Sequence, residues 1–393
     1  MSRYHSYTNA AARLIQEYLP GKPFSLHIRS YFAANKKYGS RDRRIITSLC
    51  YAYFRAGKAF PGSTMEEKLI LSLFLCENKS NELIHFFDPG LNEKITANIL
   101  EKLDLLKLKA IDFFSFAAGL SKETDAAQFS LSMLKQPDLF LRCRPGKAQL
   151  VKDKLSKAGT PFKEEEPGCL RIANNSPIDK ILLLNREAVV QDYNSQKVLD
   201  YLEEIPAGYF ETVVNAWDCC AASGGKSILL WDKLSGKVNI TVSDIRENIL
   251  SNLRVRFREA GVKAAGNFVA DLAVVQKATQ KKYNIIICDA PCTGSGTWGR
   301  TPEQLFYFDE RGVDVYAERQ RKIISNIVPG LDNNALLFYI TCSVFEKENE
   351  SVVSFIASQL RDAGRDFQLK EMKYLKGYES SADTMFVAVF SVV

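Results

Sequence analysis

The 393-residue sequence predicts a doubly wound α/β sheet, preceded by an all-helical domain and a small α+β domain. Three observations predict it. From about residue 186 onward, short apolar runs alternate with helical patterns. Residues 6–135 carry helical spacing with few strand signals. Between the two, composition changes near Pro137 and a strand–helix–strand pattern follows. The expected boundaries are therefore 1–135, 136–185 and 186–393.

In the first region, Ala10, Leu14, Ile15 and Tyr18 recur at helical spacing, Pro20-Gly21 ends that helix, and Pro23 opens the next. Ser40 is placed to cap a helix whose face is Ile45, Ile46, Leu49, Cys50, Tyr53 and Phe54. Further helices are expected at 65–76, 91–106 and 110–120. In the second region, strands at 139–143 and 169–172 flank a helix at 146–158, which suits a ferredoxin-like insert. In the third, strands are expected at 212–217, 238–242, 267–269, 284–288 and 336–341. Helices at 227–234, 246–259, 318–327 and 348–360 separate them, and 386–393 is expected as a final edge strand.

Composition excludes several classes. A hydrophobic content of 46% is that of a globular chain. No apolar run approaches the ~20 residues of a membrane helix. The first ten residues are polar and aromatic rather than a charged-then-apolar leader, so a cytoplasmic location is expected. Nine cysteines are too few for a disulfide scaffold and read as reduced thiols. The net charge of +6 is uneven: residues 1–60 carry eleven Lys/Arg against only Glu17 and Asp42. Such a surplus suits a polyanion, although a solvated helical face would read the same way.

Two constellations carry chemistry. The first is Asp218-Cys219-Cys220-Ala221-Ala222-Ser223-Gly224-Gly225-Lys226-Ser227, after the first strand of the third region. It is neither a P-loop, because position 220 is Cys where glycine is needed, nor a dinucleotide fingerprint. Its small residues let the backbone approach a ligand, and Ser227 is placed to cap the next helix. Asp244, Asp271 and Asp289 follow at the ends of successive strands. Acids so placed line the crevice of an open α/β sheet, and Asp244 suits ribose hydroxyls. Together these features favour a nucleoside-bearing cofactor.

The second constellation pairs Asp289-Ala290-Pro291-Cys292 with Thr341-Cys342-Ser343, each after an apolar strand. Cys288 and Cys292 have no histidine or further cysteine nearby in sequence, so no metal site is expected. Either cysteine alone reads as a small buried hydrophobe. Two thiols with a carboxylate suit methylation at carbon-5 of cytosine. A thiolate adding at carbon-6 makes carbon-5 nucleophilic, and a carboxyl group at ring N3 stabilises the developing charge.

Residues 190–196 (Val-Gln-Asp-Tyr-Asn-Ser-Gln), Asp218–Lys226, Asp289–Gly296 and Thr341-Cys342-Ser343 resemble the Sun/RsmB/NSUN family of RNA cytosine-5 methyltransferases over residues 135–393. Residues 38–44 and 51–55 resemble the NusB-like RNA-binding domain of its RsmB branch. The resemblance implies a Rossmann-like class I methyltransferase sheet. It also implies S-adenosylmethionine as cofactor and RNA, chiefly 16S ribosomal RNA, as substrate. A tRNA enzyme and a catalytically weak ribosome-assembly factor are the alternatives. Cys342 would be the nucleophile and Cys292 would assist release. Asp289 would contact base and cofactor, with Lys226 near the active centre. Cys220, Ala221, Ala222, Ser223, Gly224, Gly225 and Lys226 would wrap the cofactor, with Asp244 on its ribose and Asp271 on its adenine. Arg41, Arg43, Arg44, Arg142 and Arg144 would contact RNA. A monomer without metal or membrane is expected.

The sequence departs from the family pattern at four places. Ser223 stands where the loop usually has proline, and Asp332-Asn333-Asn334 replaces a Gly-Gly turn. Residues 383–386 read Asp-Thr-Met-Phe, and in Leu141-Arg142-Cys143-Arg144 an arginine follows the Arg-x pair where an asparagine is usual.

Overall fold

A computed structural model describes residues 2–393 except 115, 117–118, 207, 211–212 and 276–278. The chain forms two compact units. One is Met1–Leu120, Thr124–Gln136 and Thr297–Glu310; the other is Ser121–Glu123, Pro137–Gly296 and Arg311–Val393.

The first unit is helical. It contains α1 (Arg3–Gln16), α2 (Phe24–Ala34), α3 (Ser40–Ala56), α4 (Met65–Cys76), α5 (Glu82–Phe87), α6 (Pro89–Glu93), α7 (Ile99–Leu106) and α8 (Ala126–Ser132). The expected face of α3 is its core face: Ile46, Leu49, Cys50, Tyr53 and Phe54 are buried. Ser40 is not the cap. It is the first helical residue after Gly39, whose N–H donates to the Asp42 carboxylate at 2.9 Å. The expected 91–106 helix is broken because Asn98 and Glu101 form a reciprocal cap, each side chain accepting the other's N–H at 3.1 Å. Of the expected 110–120 helix, Ala110–Phe113 is a single 3₁₀ turn, and residues 115, 117 and 118 lie outside the described residues.

Segment 297–310 belongs to this unit rather than to the unit expected over 186–393. Its short helix follows in chain order after those of the second unit's first half. The Arg55 guanidinium, buried inside the first unit, donates to the Gly299 carbonyl at 2.7 Å. Glu303 accepts from the Phe24 N–H at 3.2 Å, and the Phe306 ring lies 5.0 Å from that of Tyr53.

The second unit holds two sheets. The smaller runs β1 (Leu139–Cys143), α9 (Ala148–Lys157), β2 (Phe162–Glu166), β3 (Cys169–Ile172), α10 (Ile178–Ile181), β4 (Ala188–Val190). Its antiparallel order β2-β3-β1-β4 is ferredoxin-like, with the second helix reduced to one turn. The sequence hid β2 in an acidic run, Lys163–Glu166, whose side chains mostly face solvent.

The larger sheet contains β5 (Val214–Asp218), β6 (Val238–Asp244), β7 (Ala264–Val269), β8 (Tyr283–Asp289), β9 (Leu331–Thr341), β10 (Phe367–Leu375) and β11 (Met385–Val392), in the order β10-β11-β9-β8-β5-β6-β7. Thr212, expected to open the first of these strands, lies outside the described residues. Strands β5 to β9 are parallel, and β11 runs antiparallel to both β9 and β10. The segment at 386–393 is therefore an interior strand, not the expected edge; every residue of β11 is buried. The Asp332-Asn333-Asn334 turn lies inside β9 as a bulge, with Asn334 at φ 54°.

Helices α11 (Gly225–Lys233) and α12 (Glu247–Ala260) supply Ile228, Leu229, Leu253 and Phe257 to the core on one face. On the other face, α14 (Arg311–Ile327, after α13 at Pro302–Tyr307 of the first unit) and α15 (Glu350–Asp362) supply Ile323, Ile327, Val352 and Ile356. The chain proceeds outward from β5 to β7, then crosses back to β8 on the other side of β5. The carboxyl ends of β5 and β8 thus flank the switch point where α/β sheets bind ligands. Among the described residues, no helix is long and apolar enough to cross a membrane.

Candidate active site

Asp218, Asp244 and Asp289 are the last residues of β5, β6 and β8, so the sheet itself brings them to one edge. The loop after β5 is pinned to its neighbours. Cys219 N–H donates to the Ile287 carbonyl, Ala221 N–H to the Ser243 carbonyl, and Ala222 N–H to the Asp244 carboxylate at 3.0 Å. Ala222 and Gly224 take left-handed conformations, at φ 45° and 82°. A Cβ on Gly224 would also lie 2.8 Å from the Phe257 ring, so glycine is required there twice over. Ser223, in the usual proline position, is held instead by Arg256, whose guanidinium donates to its carbonyl at 2.9 Å and to its hydroxyl at 2.7 Å. Ser227 does not cap α11. It lies inside the helix and donates to Asp218 at 2.5 Å.

A cavity of about 570 Å³ opens on this loop and is lined by Cys220, Ala222, Asp244, Asp271, Asp289 and Cys292. Sequence reasoning missed the polar lining residues Arg246, Tyr316 and Arg319. Arg246 makes two bonds to Asp244, at 3.0 and 3.2 Å, and Arg319 bonds Asp271 at 2.8 Å. Burial opposes ionisation of Asp244, but the bonds from Arg246 outweigh it and hold the carboxyl below its usual range. The only signal for Arg246 was its position two residues after the acid. Nothing in sequence tied Arg319 to Asp271.

Beside the cavity, the Sγ atoms of Cys292 and Cys342 lie 3.3 Å apart. Backbone bonds join the two loops on either side of the pair: Ala290 N–H donates to the Ile340 carbonyl and Gly296 N–H to the Cys342 carbonyl, both at 2.8 Å. Lys226 bonds Asp289 at 2.6 Å. Burial works against the Lys226 ammonium, yet Asp289 first, then Cys342 and Asp218, raise its pKa above the usual lysine value. The contact with Cys342, then burial, raises the pKa of Cys292 above the usual thiol value.

Two expectations are corrected. Arg142 and Arg144 are not presented to RNA. Both guanidinium groups are turned inward onto Asp232, at 2.5 and 2.9 Å. Arg142 also bonds Gln191, and Arg144 the carbonyls of Asn185 and Ala260. Their work is to tie the small sheet to α11 and α12. Cys288, in turn, is not isolated among thiols: its sulfur lies within 4.8 Å of those of Cys219 and Cys220. The Cys219 and Cys220 thiols beside it hold its pKa below the usual thiol range. The sequence set Cys288 against Cys292, but adjacent strands point them to different neighbours.

Of the expected RNA-contacting arginines in α3, Arg44 is exposed. Arg41 pairs with Glu82 at 2.8 Å, and Arg43 donates to the Tyr38 carbonyl at 2.8 Å.

Residues 211–390 match the family described as 16S rRNA methyltransferase RsmB/F. The chain is 25% identical over 198 residues to ribosomal RNA small subunit methyltransferase B of Enterobacter sp. (strain 638), covering 50% of this chain and 45% of that protein. It is 25% identical over 236 residues to the protein of the same name from Salmonella arizonae, covering 58% and 53%. The chain thus spans about half the length of these curated relatives. Among solved structures, PH0851 covers 98% of each chain at TM-score 0.70 and 18% identity. NSun6 from Pyrococcus horikoshii, solved with SFG, covers 72% of this chain and 96% of its own at TM-score 0.58 and 15% identity. At these identities the two structures show a shared fold.

Proposed function

We propose that the chain is an S-adenosylmethionine-dependent methyltransferase of the RsmB/Sun/NSUN family that methylates carbon-5 of a cytosine in RNA, with small-subunit ribosomal RNA as the substrate. The observation that carries this reading is the pair of thiols 3.3 Å apart at the rim of a cavity lined by strand-end carboxylates.

The cavity fits the cofactor. Its volume of about 570 Å³ is ordinary for a small-molecule site, and the carboxylates of Asp244, Asp271 and Asp289 line it with hydrogen-bond acceptors. Asp244 would hold the ribose hydroxyls and Asp271 the adenine edge. Arg246 occupies Asp244 now, but its side chain is 56% exposed and can turn to solvent, which would leave the carboxylate to the hydroxyls. When bound, S-adenosylmethionine supplies an electrophilic methyl group.

The chain's own residues divide the remaining work. Cys342, whose Sγ lies 3.3 Å from that of Cys292, would be the thiol that adds to carbon-6 of the base. Asp289, anchored by Lys226, supports charge at the pyrimidine edge. Cys292 keeps its proton more tightly than an ordinary thiol. It is thus available for proton exchange when the carbon-5 proton leaves and the Cys342–carbon-6 bond breaks.

Bisulfite sequencing of total RNA from cells with and without the gene tests this. One cytosine should lose its protection in the knockout, in 16S RNA by this reading. Loss in a tRNA would move the substrate class, and no loss anywhere would refute the activity.

A further inference from the structure

Glu348 has no exposed surface and, among the described residues, no cationic partner, yet it is not in the cavity and the mechanism above does not use it. Its carboxylate accepts four hydrogen bonds. Three come from the loops that carry the thiols: Thr293 N–H at 2.9 Å, Thr293 hydroxyl at 2.6 Å and Ser343 hydroxyl at 2.5 Å. Thr293 follows Cys292, and Ser343 follows Cys342. The fourth comes from Gln320 of α14 at 3.1 Å, and the same amide group also donates to the Pro291 carbonyl at 3.0 Å. The neighbouring Asn349 holds the far side of the nucleophile: it accepts from the Thr341 hydroxyl at 2.6 Å and donates to the Ser343 carbonyl at 2.9 Å.

A buried carboxylate without a cation is a costly way to fill space, and an apolar side chain of similar volume would serve packing better. What a carboxylate adds is two oxygens that accept in fixed directions from two separate loops at once. We propose that Glu348 is a positioning residue that locks the Pro-Cys and Thr-Cys loops in register, so that the two thiols face a single base. This deepens the two-thiol reading and rests on it.

The distance it sets can be read without RNA. Diamide, an azo oxidant, takes two hydrogens from a close thiol pair; two S–H bonds break, one S–S bond forms, and the azo group becomes a hydrazine. In the wild-type full-length chain, peptide mapping should find a Cys292–Cys342 crosslink. In Glu348→Ala the rate of that crosslink should fall on the order of tenfold or more, because small misplacements of reacting atoms are expensive. Glu348→Gln, which keeps the shape and part of the bonding, should recover the rate to within about threefold of the wild type. S-adenosylmethionine affinity should stay within about threefold in both, since Asp244 and the glycine loop are untouched. Should the alanine variant fail to fold, the glutamine variant and Thr293→Val, which removes one of the four donors, should each slow the crosslink by about threefold.

A folded Glu348→Ala chain with lowered melting temperature but an unaltered crosslink rate overturns the proposal, because a merely structural acid would behave that way. A wild-type chain that never forms the crosslink overturns both the proposal and the paired-thiol geometry. Crosslinking as expected, with no RNA methylated, would remove the functional reading and leave the role of Glu348 standing.

Discussion

Asp218 is 1% exposed, bonds Ser227 through one oxygen and leaves the other buried without a partner. Burial pushes its pKa up to about 7. The folded chain therefore binds this proton more tightly than the unfolded chain. Its stability contribution is full below the unfolded pKa near 4 and is lost as pH rises toward about 7. At ~1.4 kcal/mol per unit, the loss is roughly 4 kcal/mol at most. Asp218→Asn should abolish this decline, which denaturant midpoints at pH 5 and pH 8 would show. A variant with the wild-type slope would mean that Asp218 ionises freely. Asp244 is the complementary case, a carboxyl that the bonds from Arg246 hold below its usual range. Asp244→Ala should weaken S-adenosylmethionine binding by about 1–3 kcal/mol in calorimetry while the protein stays folded. Unchanged affinity would remove Asp244 from the site.

At the scale of elements, the turn after β8 is the most constrained. A Cβ on Gly296 would lie 2.0 Å from the Thr384 carbonyl oxygen and 3.0 Å from that of Cys342. Both obstacles are backbone and cannot rotate away. Gly296→Ala should destabilise the protein by about 3 kcal/mol or more, while Gly225→Ala, with nothing within 4 Å, should be close to neutral in thermal melts. Equal effects would mean that the two thiol loops are not locked together. These elements also show what sequence can and cannot carry. The strand-end acids and both cysteine motifs were legible because one residue after an apolar strand fixes a position on a sheet edge. Arg142 and Arg144 were misread because a charge on a strand does not say which way it faces, and Asp232, their partner, lies about ninety residues away. Strand β11 was placed at the edge because β10, with charges at Lys370, Glu371 and Lys373, hides its strand pattern. The Cys219–Cys220–Cys288 contact depends on parallel register, which no local pattern encodes.

For the whole molecule, the charge surplus of the first sixty residues remains the argument for a polyanion, but its residues are not equivalent. Arg41 and Arg43 already have protein partners, so reversing them would disturb the helical unit as well as any RNA contact. Arg44 is the cleaner probe. If α3 meets phosphates, RNA affinity should fall steeply with salt, and Arg44→Glu should reduce the slope by about one contact while leaving S-adenosylmethionine binding intact. An unaltered slope would leave α3 as a solvated face. The central claim, however, concerns the thiols, and trapping the RNA adduct tests it most directly. Each cysteine is replaced by alanine and incubated with labelled cellular RNA and S-adenosylmethionine, and the products are run on a denaturing gel. Cys342→Ala should form no covalent species, because addition to carbon-6 is lost. Cys292→Ala should add and methylate but release slowly, so RNA-linked protein accumulates. An adduct that persists in Cys342→Ala and vanishes in Cys292→Ala would contradict the assignment.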